Sequence, residues 1–387
     1  MNVLVVPMFA LSRMSGPWSR AQAIAGAFEQ AGHHVLLGVS RDGNCQNSCV
    51  SETLELPVPS PLGLPMALAS RTFPLSEKLG ISGRKPVRSF EEVLWLTGAL
   101  SYAYERRSVS AIVDAIVEKH IDVVYSEFSL PAIMAARAVG IPVFGSFSYT
   151  TQVSFACNPE KAGGIRKLIG ELGLPEVESS LNLFGWLDHR FVPSCRSLEP
   201  IDDPNTQFVG FVKHPSIAPT AKRDCVVIYL GSGSVPDGTI ERAVVGAFSN
   251  TDIDVFVAGA HKQHERGNIH FSPRFDFSEL LPRARCFVHH GGQNSTMDAL
   301  AYETPQVIVP GRIFERIYNA QSIERAGAGI MLDRFTAKDL AEAVRRMDED
   351  SSFTHAAKSL RAELASLGGA NAIVRRVEEN LMERFAR

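Results

Sequence analysis

The sequence predicts an α/β protein with two doubly wound, Rossmann-like domains. At 387 residues the chain is too long for one ordinary domain. Short apolar runs typical of buried strands alternate with segments of helical periodicity, and the alternation starts afresh in the second half. Such alternation builds parallel sheets with right-handed crossovers. We expect domains at 1–208 and 209–369, a last helix at 370–387, and a linker in the polar, Pro-rich segment 202–223.

The individual elements follow from apolar runs, helical spacing and Gly stops. In the first series these are a strand at 3–7, a helix at 21–30, a strand at 34–39, a strand at 122–125, a helix at 130–139 and a strand at 141–144. In the second series they are a strand at 225–230, a helix at 239–248, and strands at 254–257, 286–288 and 306–309. The repeated strand–helix–strand units predict one mainly parallel sheet in each half.

Composition and charge exclude several classes of protein. With 45% hydrophobic and 21% charged residues, the chain is typical of a globular protein. Its 39 basic and 42 acidic residues give a net charge of −3, so it lacks the positive field that a nucleic-acid partner requires. No apolar stretch reaches the length of a membrane helix, and no signal-peptide pattern opens the sequence. We expect a cytoplasmic protein with neither a nucleic-acid nor a membrane partner.

The strongest functional signal is the segment 287–300, in which a predicted strand ends in two histidines and two glycines and leads into a helix. Such a turn directs backbone N–H groups and the positive end of the helix toward an anion. Gly291 and Gly292 permit close approach of the backbone, and His290 can donate a hydrogen bond to a phosphate oxygen. This build suits a diphosphate.

Three polar residues in the first turns of that helix extend the prediction. Asn294 and Ser295 can donate hydrogen bonds to phosphate, while the carboxylate of Asp298 can accept them from two ribose hydroxyls. The sequence therefore predicts a nucleotide site. Because no cluster of residues with metal-ligand spacing accompanies it, we expect neither a metal nor another cofactor.

At these residues the sequence resembles the GT-B glycosyltransferases, specifically the inverting natural-product and UDP-glycosyltransferase superfamily. The family pattern His-x-Gly-x-Asn-Ser-x-x-Glu falls on His290, Gly292, Asn294, Ser295 and Asp298, with Asp298 in place of the usual Glu. Downstream, 304–310 is similar to the family's Pro-x-Val-x-x-Pro strand, and 315–320 to its acidic-Gln-x-x-Asn-Ala segment. The resemblance covers nearly the whole chain and is strongest from 225 to 330.

The resemblance implies two domains that face a cleft, with the nucleotide sugar bound by the second domain, the acceptor by the first, and the last helix packed back on the first. It assigns Ser232 and Ser234 to phosphate binding and Glu315 to the sugar hydroxyls. Arg316 stands where the family has Gln. Since its planar guanidinium suits a carboxylate or a phosphate, Arg316 either reads an acidic or unusual sugar or pairs with Glu315.

The family's catalytic base is a His in a Gly-His pair after the first strand, and the corresponding residue here is Pro17, which cannot accept a proton. The family's orienting Asp corresponds to about Ser126, with Glu127 beside it. We predict Glu127 as the base. Two alternatives stay open: an acceptor such as a neutral aromatic amine needs little base help, or another group such as Ser126 serves. Trp18 is expected either to stack on an aromatic acceptor or simply to pack in the core.

The predicted function is metal-independent transfer of a sugar, with inversion, from UDP or dTDP to a small, partly hydrophobic or aromatic acceptor in antibiotic biosynthesis. The partners are thus a nucleotide-sugar donor and a small-molecule acceptor, with a homodimer left open. Two other classes remain: a non-catalytic auxiliary paralogue, which the missing His favours, and a sugar-nucleotide epimerase or hydrolase of the same architecture.

Overall fold

The described chain divides into two compact units, each with a seven-stranded sheet of its own. The computed structural model describes residues 1–11, 15–45, 49–64, 69, 86–155, 159–213, 223–231, 235–259 and 262–385. Unit 1 comprises residues 1–73, 88–213 and 367–387, and unit 2 comprises 74–87 and 214–366. The α/β class and the two Rossmann-like domains predicted from the sequence are confirmed.

The sheet of unit 1 is parallel throughout. Its strands are β1 (Asn2–Pro7), β2 (His34–Ser40), β3 (Glu52–Leu56), β4 (Val123–Glu127), β5 (Val143–Ser146), β6 (His189–Val192) and β7 (Thr206–Phe208). The strand order is β3-β2-β1-β4-β5-β6-β7. The order reverses between β1 and β4, where Pro7 and Glu127 lie in register. Ligands of such sheets bind outside the carboxyl ends of the strands at this switch point.

The helices of unit 1 cover that sheet. They begin with α1 (Ser15–Gln30), α2 (Phe90–Leu96), α3 (Tyr102–Glu118), α4 (Leu130–Val139) and α5 (Gly163–Glu171). Helix α1 buries Ala21, Ile24, Ala25 and Phe28, whose spacing places them on one face of a helix. It begins earlier than the predicted Ala21 because Pro17 is accommodated in its first turn, where the proline's missing N–H breaks no helical hydrogen bond.

The sheet of unit 2 repeats this scheme. Its strands are β8 (Cys225–Tyr229), β9 (Asp254–Ala258), β10 (His264–Arg266), β11 (Ile269–Ser272), β12 (Ala284–His289), β13 (Gln306–Ile308) and β14 (Gly329–Met331). The order is β10-β11-β9-β8-β12-β13-β14, and only β10 pairs antiparallel among the described strands. Its helices are α6 (Asp237–Phe248), α7 (Phe277–Leu280), α8 (Gln293–Ala301), α9 (Phe314–Arg325), α10 (Ala337–Glu349) and α11 (Ser352–Ser366).

The last helix, α12 (Gly369–Phe385), belongs to unit 1. It packs against α1, and Ile373, Val374 and Val377 enter the core of unit 1. A hydrogen bond of 3.0 Å joins Glu378 on α12 to His33, just after α1. The C-terminal segment is therefore a structural part of the N-terminal unit.

The segment 202–223 was expected to be a linker that holds the domain boundary. The two units divide after residue 213, inside this segment, but Thr206–Phe208 within it forms the edge strand β7. A three-residue strand is too short to show a period in the sequence. Within the described residues, no helix is both long and apolar enough to cross a bilayer.

Candidate functional site

The predicted motif lies at the carboxyl edge of the unit 2 sheet, where the strand order reverses between β8 and β12. Tyr229 and His289, the last residues of these two parallel strands, are in register. The chain leaves β12 through His290, Gly291 and Gly292 and enters α8 at once. The backbone N–H groups of the first helical turn point out of the helix at this edge. The motif therefore occupies the position at which doubly wound sheets bind their ligands.

Both glycines of the turn have neighbours that leave little room for a side chain. Gly291 has φ +83°, and a Cβ there would lie 2.9 Å from the carbonyl oxygen of Arg316. A Cβ on Gly292 would lie 2.6 Å from Nε2 of His290. A side chain at either position would force apart the turn or the ring beside it. The sequence predicted that the glycines permit close approach of the backbone. The groups that lie close to them are the backbone of Arg316 and the ring of His290.

His289 is a buried histidine with two defined partners. Its Nδ1 accepts a hydrogen bond of 3.0 Å from the N–H of Gly291, and its Nε2 lies 2.9 Å from Oε1 of Gln306 on β13. Because Nδ1 is an acceptor, the proton is on Nε2, which donates to Gln306. Burial lowers the pKa of His289 to about 4, so the ring is neutral at physiological pH.

The carbonyl of Gly291 is held from the opposite side. Nδ2 of Asn319, a buried residue of α9, donates a hydrogen bond of 2.8 Å to this oxygen. The two peptide groups that flank Gly291 are thus both fixed, the first at its N–H and the second at its C=O. Since the N–H of Gly291 is engaged by His289, it is not among the groups that can bind an anion.

His290 is the side chain that the turn presents. Its ring packs edge-on against Tyr229 at 5.5 Å between centroids, and a Cβ on Gly231 would lie 3.3 Å from its Nδ1. That buried Nδ1 makes no hydrogen bond within the described part of the chain. Burial, reinforced by the nearby charge of Arg316, holds the pKa of His290 well below its usual range. His290 is therefore a neutral hydrogen-bonding group at pH 7, and the positive charge beside it is that of Arg316.

The remaining motif residues lie on α8 and at the start of α9. Asn294 and Asp298 are four residues apart, so these half-buried side chains share one face of α8, whereas Ser295 is buried. Glu315 and Arg316 occupy the first turn of α9. The backbone of Arg316 lies against Gly291, which brings the predicted sugar-binding residue to the phosphate turn. Ser232 and Ser234, also predicted to bind phosphate, lie outside the described residues.

Glu127, the predicted base, ends β4 at the switch point of unit 1 and is fully buried. Its Oε1 forms an ion pair of 2.7 Å with Nε of Arg20 on α1, and its Oε2 accepts a short hydrogen bond from the hydroxyl of Ser146. The hydroxyl oxygen of Tyr125 lies 2.9 Å from that of Ser146. Because the Ser146 hydroxyl donates to Glu127, the Tyr125 hydroxyl is the donor in this hydrogen bond. Burial, and next the charge of Glu127, raises the pKa of Tyr125 well above its ordinary value.

Two neighbours complete the picture in unit 1. Trp18 is only 3% exposed and belongs to the core, so its role in acceptor binding stays a prediction. Phe128, directly after Glu127, has φ +60°, a conformation that costs a non-glycine residue about 1 kcal/mol or more. Its ring packs beneath the guanidinium of Arg20, 5.6 Å from the centroid. A strained residue therefore closes the carboxyl edge of β4.

A pocket of about 260 Å³ opens in unit 1 near the end of β5. Phe147 and Phe184, whose ring centroids lie 5.9 Å apart, form part of its apolar wall. Its polar groups include Arg190 and Asp203, which form an ion pair of 2.8 Å. Such a mixed lining suits a small, partly aromatic molecule. Among the described residues, no group of three or more His, Cys, Asp or Glu side chains is arranged to hold a metal ion.

Comparison with known proteins identifies the C-terminal part of the chain. Residues 242–380 match the family described as erythromycin biosynthesis protein CIII-like, C-terminal domain. This match covers just over a third of the chain, all of it in the C-terminal half. The aclacinomycin-T 2-deoxy-L-fucose transferase of Streptomyces galilaeus is 31% identical over 173 residues, which cover 42% of this chain and 39% of that protein. The aklavinone 7-beta-L-rhodosaminyltransferase of the same organism is 30% identical over 159 residues, 39% of this chain and 36% of that protein. These matches span less than half of either relative.

Solved structures show the same fold over the whole chain. The glycotransferase of kitacinnamycin superposes with a TM-score of 0.73 at 18% identity and covers 98% of both chains. The spinosyn rhamnosyltransferase complexed with thymidine diphosphate gives a TM-score of 0.68 at 18% identity and covers 98% of this chain and all of the other. The chain therefore has the GT-B fold, and its resemblance to natural-product glycosyltransferases is confirmed.

The sequence did not reveal the supporting residues of either unit. Gln306 and Asn319 support the turn in unit 2, and Arg20 holds Glu127 in unit 1. Their hydrogen bonds connect distant parts of the chain, and nothing in their local sequence marks those partners. His289 stands directly beside His290, but the sequence did not separate a ring that faces inward from one that faces the turn. The alternation of side chains along a strand could have separated the two rings, because successive side chains of β12 point to opposite faces of the sheet.

Proposed function

We propose that this protein transfers a sugar from a nucleotide diphosphate to a small, partly aromatic acceptor, with inversion and without a metal ion. The observation that carries the proposal is the glycine turn at the end of β12, which joins His290, the N-terminus of α8 and Arg316 at the switch point of unit 2. Each of these can stabilise negative charge on a departing diphosphate. By their names, the two Streptomyces relatives transfer 2-deoxy-L-fucose and a rhodosaminyl group.

In the proposed donor site the diphosphate lies against the first turn of α8. His290 donates a hydrogen bond as a neutral imidazole, Arg316 supplies the positive charge, and Asp298 accepts hydrogen bonds from the ribose. Asn294 and Ser295 assist at phosphate, as do Ser232 and Ser234 outside the described residues, and Glu315 binds sugar hydroxyls. We take dTDP as the first nucleotide to test, because the spinosyn relative was solved with thymidine diphosphate.

For the acceptor we propose the pocket bordered by Phe147 and Phe184 in unit 1, with Trp18 as a further aromatic residue of the same unit. The acceptor's nucleophile attacks the anomeric carbon from the face opposite the departing diphosphate, which inverts the configuration. Glu127 could take its proton only after its hydrogen bond with Ser146 and its ion pair with Arg20 are disrupted. The enclosed carboxylate therefore favours an acceptor that needs little base help, such as a neutral aromatic amine.

The test is incubation of the protein with dTDP- and UDP-sugars and paired phenolic and aromatic-amine acceptors of the same ring size, followed by mass spectrometry. We expect an acceptor product heavier by one sugar, formed more readily from the amine. If Glu127 is the base, the phenol is also used, and Glu127→Gln reduces transfer to the phenol more strongly than transfer to the amine. Nucleotide release without an acceptor product would instead indicate a hydrolase.

A second candidate, a non-catalytic auxiliary protein, is favoured by one observation. Pro17 stands in the first turn of α1, and the carboxylate at the end of β4 is enclosed by Arg20 and Ser146. Nucleotide binding without turnover of any donor would support this candidate. Transfer to either acceptor would exclude it.

A further inference from the structure

The backbone of Gly291 is clamped on both sides of its Cα. Its N–H is bound by His289 at the end of β12, and its C=O by Asn319 on α9, at 3.0 and 2.8 Å. We infer that His289 and Asn319 are positioning residues, which hold these two successive peptide groups so that His290 and the first turn of α8 face a nucleotide diphosphate. The inference rests on the proposed function of the same turn.

A glycine turn needs such a clamp. Glycine loses more conformational freedom on folding than any other residue, and Gly291 is held at φ +83°. Its peptide groups connect the ring of His290 to Gly292, the N-cap of α8. A rotation of this segment would turn the imidazole and the helix end away from the same ligand. Two hydrogen bonds to rigid elements keep the turn in one conformation before the ligand binds, which reduces the entropy lost on binding.

Only one tautomer of His289 can accept the hydrogen bond from Gly291. The N–H of Gly291 requires a lone pair on Nδ1, so the proton must be on Nε2, and Oε1 of Gln306 accepts it at 2.9 Å. The ring is fully buried and stacked on Phe287 at 4.8 Å between centroids. Gln306 therefore selects the tautomer that holds Gly291, as an outer partner does for a metal-bound histidine.

Protonation of His289 would release the clamp, because a proton on Nδ1 would face the Gly291 donor. The groups around the ring limit this event. Gln306 on β13 is uncharged, Tyr229 lies in register on β8, and His290 is the adjacent residue, with the charge of Arg316 on α9 acting on it. These surroundings provide no negative charge that would favour an imidazolium.

The matched pair His289→Asn and His289→Phe tests the inference. The Asn side-chain oxygen falls near the position of Nδ1 and can accept from an N–H two residues ahead, whereas Phe keeps the ring shape without an acceptor. Titration with dTDP and UDP should show about a tenfold or greater loss of affinity for His289→Phe. His289→Asn should stay within about threefold of the wild type. Equal losses in the two variants would contradict the clamp.

Gln306→Glu gives a pH-dependent version of the same test. A carboxylate opposite Nε2 stabilises the imidazolium and raises the pKa of His289. Affinity in this variant should fall as the pH is lowered through neutrality, while wild-type affinity should be unaffected by His289 there. Parallel pH profiles for the two proteins would overturn the inference.

Amide hydrogen exchange at Gly291 separates this inference from the proposed function. The amide should be protected in the wild type and in His289→Asn, but exchange rapidly in His289→Phe, whether or not a nucleotide binds. Asn319→Asp, which removes the donor to the Gly291 carbonyl, provides a second variant if His289→Phe does not fold. Protection of the Gly291 amide that persists in His289→Phe, or a nucleotide affinity unchanged in Asn319→Asp, would refute the clamp. Protection in the wild type without any nucleotide binding would refute only the proposed function.

Discussion

In each unit, the strand beside the first strand at the switch point ends in a buried titratable residue. That residue is Glu127 on β4 in unit 1 and His289 on β12 in unit 2. Glu127 is engaged by Arg20 and Ser146, so its charge is balanced inside unit 1. His289 instead holds a glycine turn and leaves the adjacent His290 with a buried, unbonded Nδ1 within the described chain.

The two sheets therefore have the same switch point, but the buried polar groups there have different roles. In unit 1 the polar groups at the carboxyl edge satisfy one another, which stabilises the fold and encloses the carboxylate. In unit 2 the buried groups stabilise a turn whose outer face is left to bind an anion. The comparison teaches that the position of a residue in a doubly wound sheet does not decide its role; the hydrogen-bond partners do. Four predictions test the two halves of this comparison.

The largest effect is expected in unit 1. Glu127→Gln removes the negative charge opposite Arg20, which is 11% exposed, and should lower the free energy of unfolding by about 3 kcal/mol. All three tryptophans, Trp18, Trp95 and Trp186, lie in unit 1, so urea denaturation followed by tryptophan fluorescence measures this unit. The double variant Arg20→Met with Glu127→Leu should regain most of the loss. A loss below about 1 kcal/mol would show that the pair is not a structural ion pair.

In unit 2, Gly291→Ala should cost about 2–3 kcal/mol, because alanine disfavours the left-handed backbone and its Cβ would meet the Arg316 carbonyl. The matched control is Gly238→Ala in α6, where a Cβ would have no neighbour within 4 Å. The control should be neutral or slightly stabilising. Amide exchange across β12 and α8 measures the difference, and similar exchange in the two variants would disprove the need for glycine in the turn.

Acid should destabilise both units through buried histidines. Burial lowers the pKa of His189 in unit 1, as it does for His289, to about 4. Each of these histidines has a pKa of about 6.5 in the unfolded chain, so below that pH the unfolded chain is protonated while the folded chain is not. The free energy of unfolding therefore falls as the pH is lowered from about 6.5 to about 4. The loss is about 2 kcal/mol per histidine at about pH 5. His189→Phe should flatten the pH dependence of unfolding that tryptophan fluorescence reports. An unchanged slope would rule out His189 as a source.

The smallest of these effects concerns charge at the turn. Arg316→Gln should weaken nucleotide binding about fivefold to tenfold, corresponding to about 1 kcal/mol, since the positive charge next to His290 is lost. The same change should raise the pKa of His290, which NMR titration of the imidazole would detect, because a like charge no longer opposes protonation. Arg346→Gln, at an exposed position of α10, is the control. Equal affinities for the two variants would remove Arg316 from the site.

The sequence predicted the fold class and the location of the turn because long apolar runs, helical spacing and paired glycines are local signals. It placed helix α4 at residues 130–139, as observed. It missed β3, β6, β7, β10, β11 and β14, which have only three to five residues each. The network around Glu127 could not be predicted, because Arg20 and Ser146 are distant in sequence and meet only through the order of the strands.

The most direct test of the account is calorimetric titration of dTDP and UDP into the wild type and three variants. His290→Ala should lose about tenfold or more in affinity, while the exposed control His355→Ala on α11 and Glu127→Gln in unit 1 should bind as the wild type does. This pattern would locate the nucleotide at the carboxyl edge of the unit 2 sheet. Unchanged affinity in His290→Ala, or a loss of the same size in Glu127→Gln, would contradict the account.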